Sequence, residues 1–175
     1  MQIDNPDEIL DLVNTEDKVI GTILREEVLR LTENKKGFVR AVGVFLINNK
    51  SEIWIPTRSL NKKLLPGAYD FSAAGHVTSG QSYIDAAVQE TKEELNILLE
   101  PDSFKLVGTL EPLNNVPYFN HIFTVSYNNT PEFNKDDFSK GEWLSVQEII
   151  TKIEKGHPAK QVILPSLELL KYTKP

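Results

Sequence analysis

The stretch from Gly75 to Ile97, GHVTSGQSYIDAAVQETKEELNI, constrains this chain more than any other. It reads as a glycine-bearing loop running into a helix over Gln81 to Leu95, and the helix has three faces where most have two. At about 100° per residue, Glu90, Glu93 and Glu94 share one sector, with Tyr83, Ala86 and Ala87 above them. The alanines are expected to leave space over the carboxylates. Ile84, Val88, Thr91 and Leu95 form an apolar stripe predicted to pack on a sheet, while Asp85, Gln89 and Lys92 face solvent. Three anions on one turn repel one another, at a few tenths of a kcal/mol per pair when exposed and more when desolvated. A cation relieves that cost, and carboxylate oxygens suit Mg²⁺ or Mn²⁺ in a shell shared with water and phosphate. An isolated Glu-Glu pair would read as solvated helix surface. Gly75 and Gly80 ahead of the helix instead allow the backbone to approach a ligand closely.

The helix belongs to an alternation of strands and helices. EILDLV and KVIGTILR flank the polar turn Asn14 to Asp17 and predict a hairpin, followed by a short helix at Arg25 to Leu31. FVRAVGVFLI, Phe38 to Ile47, is nearly all apolar and predicts a central strand buried on both faces. After the turn Asn48 to Lys50, EIWIP supplies a partner strand. Arg58 to Gly67 is a basic loop, and Tyr69 to Val77 predicts a strand entering the glycine loop. Further strands are expected at Phe104 to Leu110, His121 to Tyr127 and Gly141 to Leu144, then helices at Val146 to Lys155 and Ala159 to Tyr172. This order predicts an α/β/α arrangement around a mixed sheet. At 175 residues one domain is expected over 1–175, with 1–35 as an N-terminal hairpin and short helix and 36–175 as the core.

Composition removes several function classes. There is no cysteine, so disulfides, thiolate metal sites and thiol nucleophiles are excluded. The three histidines, His76, His121 and His157, lack metal-ligand spacing, which argues against zinc. A net charge of -6 argues against a nucleic-acid footprint but not against a small anion held through a metal. No apolar run reaches the roughly 18 residues of a membrane span, and the acidic start MQIDNPDEILDLV is unlike a signal peptide. The expected location is cytoplasmic, and the chain is compatible with a homodimer.

The 75–97 segment resembles the signature of the Nudix hydrolase family. Gly75 opens the motif, Gln81 stands where the family has its first Glu and Gln89 where it has Arg. Glu90, Glu93 and Glu94 match the metal-side glutamates, Asn96 replaces the second Gly and Ile97 closes the motif. VRAVGVFLINNKSEIWIPTRS, followed by KLLPGAYDFSAAGHV, resembles the branch related to isopentenyl-diphosphate isomerase. EWLSVQEI, Glu142 to Ile149, is similar to the Trp-bearing strand and helix start of the family. The resemblance spans residues 8 to 172 and implies a Nudix-type α/β/α sandwich. It further implies that Glu90, Glu93 and Glu94, with the Ala74 carbonyl, hold Mg²⁺ or Mn²⁺, and that Glu93 or Glu90 deprotonates a water that attacks phosphorus.

The departures bear on that expectation. Asn96 tolerates the left-handed conformation that Gly supplies. Gln89 leaves one neutral hydrogen bond where Arg would orient Glu90 through a charge-assisted pair, and Gln81 removes an anion. Gly75, Arg58, Arg40 and Lys63 are candidate ligand-binding residues. Arg58, Lys62 and Lys63 lie on the loop before Pro66-Gly67 where related proteins contact phosphate. Arg40, inside an apolar strand, must contact ligand or pair with an acid. His76 follows the motif glycine. His121, Tyr118, Phe119, Asp136 and Asp137 are lesser candidates, each with an ordinary packing or surface role as the alternative. The expected partner is a phosphorylated small molecule. The leading function is cleavage of a diphosphate linkage in a nucleoside diphosphate joined to another moiety. The alternative is a weakened module that binds a nucleotide or phosphorylated metabolite. Isopentenyl-diphosphate isomerase ranks last, because that chemistry uses a cysteine opposite a glutamate and this chain has none.

Overall fold

The computed structural model describes residues 5, 7–28, 30–31, 36–112 and 116–172. Its strands are β1 Ile9–Val13, β2 Val19–Leu24, β3 Val39–Ile47, β4 Ile53–Arg58, β5 Ala73–His76, β6 Lys105–Leu110, β7 Tyr118–Ser126 and β8 Phe138–Leu144. Its helices are α1 Tyr83–Leu95, α2 Val146–Glu154 and α3 Ile163–Tyr172. The main sheet runs β6-β7-β3-β4-β8, with β5 also on β3. It is mixed, because β3 lies parallel to β7 and antiparallel to β4 and β5.

The apolar run at Val39–Ile47 forms the centre of the sheet, as its burial on both faces demands. Val42, Val44 and Leu46 point to one face and meet Trp54, Ala86, Ala87, Leu95, Phe123 and Val125 under α1. Phe45 points to the other, where Ile55, Phe71 and Ile122 pack with Ile149, Ile163 and Leu167 of α2 and α3. The result is the expected three-layer α/β/α arrangement. β3 and β4 pair only beside their turn, at Ile47 and Ile53. Farther along they part, and β5 takes the edge of β3 from Ala41 to Val44. That splay places Ala74 and Gly75 in the middle of the sheet, beneath α1.

The hairpin β1–β2 forms its own sheet with a bulge at Leu12/Val13. It docks through reciprocal bonds between Val13 and Phe38 (2.8 Å each) and from Ser79 N–H to the Ile9 carbonyl (2.9 Å). Gly37 permits the approach, since a Cβ there would stand 2.8 Å from the Val13 carbonyl oxygen. The short helix expected at Arg25 to Leu31 is present: it opens as a 3-10 turn at Arg25–Glu27 and is α-helical at Val28, Arg30 and Leu31, with Leu29 outside the described residues. Several element bounds change. β8 begins at Phe138, earlier than the sequence indicates. α3 begins at Ile163 because the segment before it pairs with Tyr69, whose N–H donates to the Pro158 carbonyl (2.8 Å). Among the described residues no helix is long and apolar enough to cross a membrane.

Candidate active site

α1 is fixed at both ends by its own residues. Ser82 caps the start by accepting from Asp85 N–H (3.2 Å). Asn96 ends it in the left-handed conformation (φ 53°, ψ 31°), with its N–H on the Lys92 carbonyl (3.0 Å). Asp85, Gln89 and Lys92 face solvent as their positions require. The expected faces shift in one respect. Ala86 and Ala87 do not leave an open space; they are fully buried against β3, while Ile84 and Val88 are only partly buried. Alanine brings the helix close to the sheet, so the glutamates lie half-buried along the seam between α1 and β5.

Each glutamate is held differently. Glu90 lies over Gly75, where a Cβ would stand 2.0 Å from Oε1; the glycine exists to admit this carboxylate. Glu94 Oε2 accepts from Ala74 N–H (2.8 Å). Val77 N–H donates to the Arg40 carbonyl, so Val42 and Gly75 exchange ladder bonds and Gly43 and Ala74 do not. The Ala74 carbonyl therefore points away from β3, to the same side as the bond from Glu94. Glu93 Oε1 accepts from Gln89 Nε2 (2.9 Å), Gln89 Oε1 from Gln81 Nε2 (2.8 Å), and Gln81 Oε1 from Thr78 N–H (3.1 Å). Gln89 thus orients Glu93, where the sequence suggested Glu90. Glu93 Oε2 is buried with no hydrogen-bond partner.

Charge accumulates here. Burial, then Glu93, pushes the Glu90 carboxyl up to about 7; Glu8 and Asp137 add to this and Arg25 opposes it. Burial, then Glu90, Asp70 and Asp137, raises Glu94 well above the usual carboxylate range, against the Ala74 N–H. Among the described residues no three His, Cys, Asp or Glu groups close round one point. The cause is visible, because Glu94 turns to Ala74 and Glu93 to Gln89. The donor set is nevertheless oxygen throughout, includes an orphaned buried carboxylate oxygen, and fits a hard divalent cation.

Cationic groups flank the seam, each bound to an acid. Arg58 Nη1 meets Asp70 Oδ2 (2.6 Å) and Lys160 Nζ meets Asp70 Oδ1 (2.7 Å). Burial alone would raise Asp70, but Lys160 and Arg58 hold its carboxyl below the ordinary value. Lys62 pairs with buried Asp137 (2.6 Å), whose loop is tied to α1 by Asn134 N–H on the Glu94 carbonyl (2.7 Å). Asp136 and Lys63 are exposed. Arg40 takes the ion-pair alternative, with Nε on Asp17 Oδ1 (2.7 Å) and Nη2 on the Asp17 carbonyl (2.6 Å). Its guanidinium also lies 5.6 Å from the Tyr83 ring centre. His121 stacks on Tyr83 (3.5 Å, 9°), Tyr118 meets His76 edge-on (6.0 Å) and Phe119 packs edge-on against Phe38 (5.8 Å).

Sequence reasoning missed the hairpin's part. Asp11 accepts from Ser79 Oγ (2.7 Å), and Glu8 from Thr78 Oγ1 (2.8 Å) and Arg25 (2.7 Å). It also missed Asp70 and Lys160. A lone acid inside the apolar run AYDFSAA was the available signal for Asp70; Lys160 had none.

An α/β/α sandwich carrying three half-buried glutamates on one loop–helix is a scaffold whose donor set suits a hard divalent cation. The NUDIX domain family model matches residues 37–167, and the chain belongs to the Nudix family. A Nudix hydrolase of Deinococcus radiodurans is 38% identical over 155 residues, 88% of each chain. An uncharacterized Nudix hydrolase of Nostoc is 36% identical, covering 93% of this chain and 95% of its own. Isopentenyl-diphosphate Delta-isomerase 2 of Photorhabdus laumondii is 28% identical, covering 80% and 78%. A crystal structure from D. radiodurans superposes with a TM-score of 0.80 at 35% identity, over 92% of this chain and 98% of that one. Family membership makes the chain a diphosphate hydrolase by class, in a family that works with divalent metals.

Proposed function

We propose that this protein cleaves a diphosphate linkage in a nucleoside diphosphate joined to a second moiety, with Mg²⁺ or Mn²⁺ held by Glu90, Glu93, Glu94 and the Ala74 carbonyl. The observation that carries the reading is the concentration of uncompensated carboxylate on α1, with Glu93 Oε2 buried and unpartnered. When bound, the cation neutralises a diphosphate and acidifies a water. The chain's own groups do the rest. Gln81 and Gln89 fix Glu93 in one rotamer, and the Ala74 N–H fixes Glu94. Glu93 or Glu90 would take the proton of the attacking water. Arg58 and Lys160 share Asp70 and keep further N–H donors for phosphate oxygens, with Lys62 and Lys63 on the neighbouring loop.

Incubation with Mg²⁺ or Mn²⁺ and a panel of nucleoside di- and triphosphates, nucleotide sugars, dinucleotides and isoprenoid diphosphates tests this. Turnover should fall at least about a hundredfold in Glu93→Gln. A Glu93→Gln protein that works at the wild-type rate defeats the reading. A second reading, a binding module, has its own observation: Gln81 and Gln89 place neutral amides where the family pattern has charge. Tight binding by calorimetry with no turnover at high protein concentration would favour it. Conversion of isopentenyl to dimethylallyl diphosphate would revive the isomerase.

A further inference from the structure

A cavity of about 480 Å³ opens on the far face of the sheet from the glutamates, between β8 and the end of α2. Lys140 and Glu142, two residues apart on β8, point into it from one side, and Lys152, Lys155 and His157 close the other. Three lysines thus surround one glutamate in a molecule of net charge -6. That glutamate is already shared: Glu142 accepts from Tyr69 Oη (2.8 Å) and from Lys152 Nζ (3.1 and 3.2 Å). Lys140 and Lys155 have no ion-pair partner among the described residues. The excess positive charge is felt inside the wall, where burial and then Lys140 and Lys152 hold His157 below its ordinary value, against Glu142. Lysines at the end of α2 also suit the helix dipole, and Lys140 lies exposed on the edge strand β8.

We propose that this cleft binds a small phosphate-bearing anion, held by Lys140 and Lys155 at a site separate from the glutamate seam. Lys152 stays with Glu142, which sets the floor of the cleft and, by repulsion, keeps the anion toward the two unpaired lysines. The site is not isolated from the other face. Its wall, His157 and Pro158, runs directly into Lys160, whose N–H donates to the Tyr69 carbonyl (3.1 Å). The next residue, Asp70, carries the ion pairs with Lys160 and Arg58. A free phosphate and the phosphate of a nucleotide present the same chemistry to the lysines.

The test is an amide-resolved NMR titration of the full chain at low ionic strength, with EDTA present to silence metal-mediated binding, first with inorganic phosphate and then with AMP. Saturable shifts are expected at Lys140, Lys155, Gly156 and His157, with affinity at least tenfold weaker in Lys140→Gln/Lys155→Gln. These exposed substitutions should leave the remaining spectrum in place, which certifies the fold. Saturation by phosphate alone identifies an inorganic ligand; AMP binding at least tenfold tighter identifies a nucleotide. The proposal is overturned if neither anion gives saturable shifts. It is equally overturned if the double variant binds as tightly as wild type, or if the shifts fall only at Arg58 and Lys160.

Discussion

Asp70, just ahead of β5, and the glutamates of α1, packed over β5, are acids that the protein treats in opposite ways. Asp70 is closed in by Arg58, Lys160 and its own Phe71 N–H (2.8 Å), and its carboxyl is held below the ordinary value. Glu90 and Glu94 have one backbone N–H and the distant charge of Arg25 between them, and both are raised. Sequence carries part of the difference: Asp70 is a single acid in the apolar run AYDFSAA, whereas Glu90 and Glu94 belong to the acidic stretch QETKEEL. The hairpin repeats the first pattern: Asp11, Asp17 and Glu8 each meet a cation or a donor. An acid that the fold completes serves the fold. One left incomplete at a cost of folding energy is where a ligand is expected to supply what is missing.

The contrast can be broken most forcefully at Asp70. Asp70→Asn removes the buried shared partner of two partly buried cations and should cost about 3 kcal/mol in urea unfolding, because breaking one side of a buried pair strands the other. A loss below about 1 kcal/mol would mean Asp70 is not a structural centre. The opposite sign is expected at Glu90. Its folded carboxyl lies above the unfolded one, so its neutral form contributes stability that is lost as pH rises through about 7. In EDTA, Glu90→Gln should therefore unfold about 2 kcal/mol later than wild type at pH 8 and gain little at pH 5. Equal stability of the two proteins at pH 8 would contradict the assigned strain. Adding Mg²⁺ sharpens the comparison: wild type should gain up to about 2.7 kcal/mol at a hundred times the dissociation constant, and more at pH 8 than at pH 6. Thermal melts at both pH values decide it. The smallest effect belongs to the glutamine relay. Gln89→Ala frees Glu93 Oε1 and should weaken Mn²⁺ binding about fivefold, near the 1 kcal/mol of one neutral hydrogen bond.

What the sequence disclosed was local. The helix over Gln81 to Leu95 with Asn96 at its end, the buried central strand and the first hairpin all follow from periodicity and local residue preferences within about twenty residues. The glutamates were singled out by their helical spacing and by the resemblance of that segment to the family signature. What escaped depends on distant partners. Glu8 meets Thr78 seventy residues away, Asp11 meets Ser79, and Lys160 meets Asp70 across ninety residues. No pattern within a segment carries those pairings. The same reason explains α3, since a helix start at Ala159 competes with backbone bonds to Tyr69 that lie outside the segment. Gln89 shows the limit at a finer scale: its family position suggested Glu90, but a side chain at i+4 on the same face, Glu93, is the partner it reaches.

The account rests on α1 binding a divalent cation through its glutamates. A Mn²⁺ titration followed by electron paramagnetic resonance, on wild type, Glu90→Gln, Glu93→Gln and Glu94→Gln, tests that most directly. The prediction is saturable binding by wild type and affinity at least about tenfold weaker in each variant. Three variants that bind Mn²⁺ as wild type does would place the cation elsewhere and contradict the account.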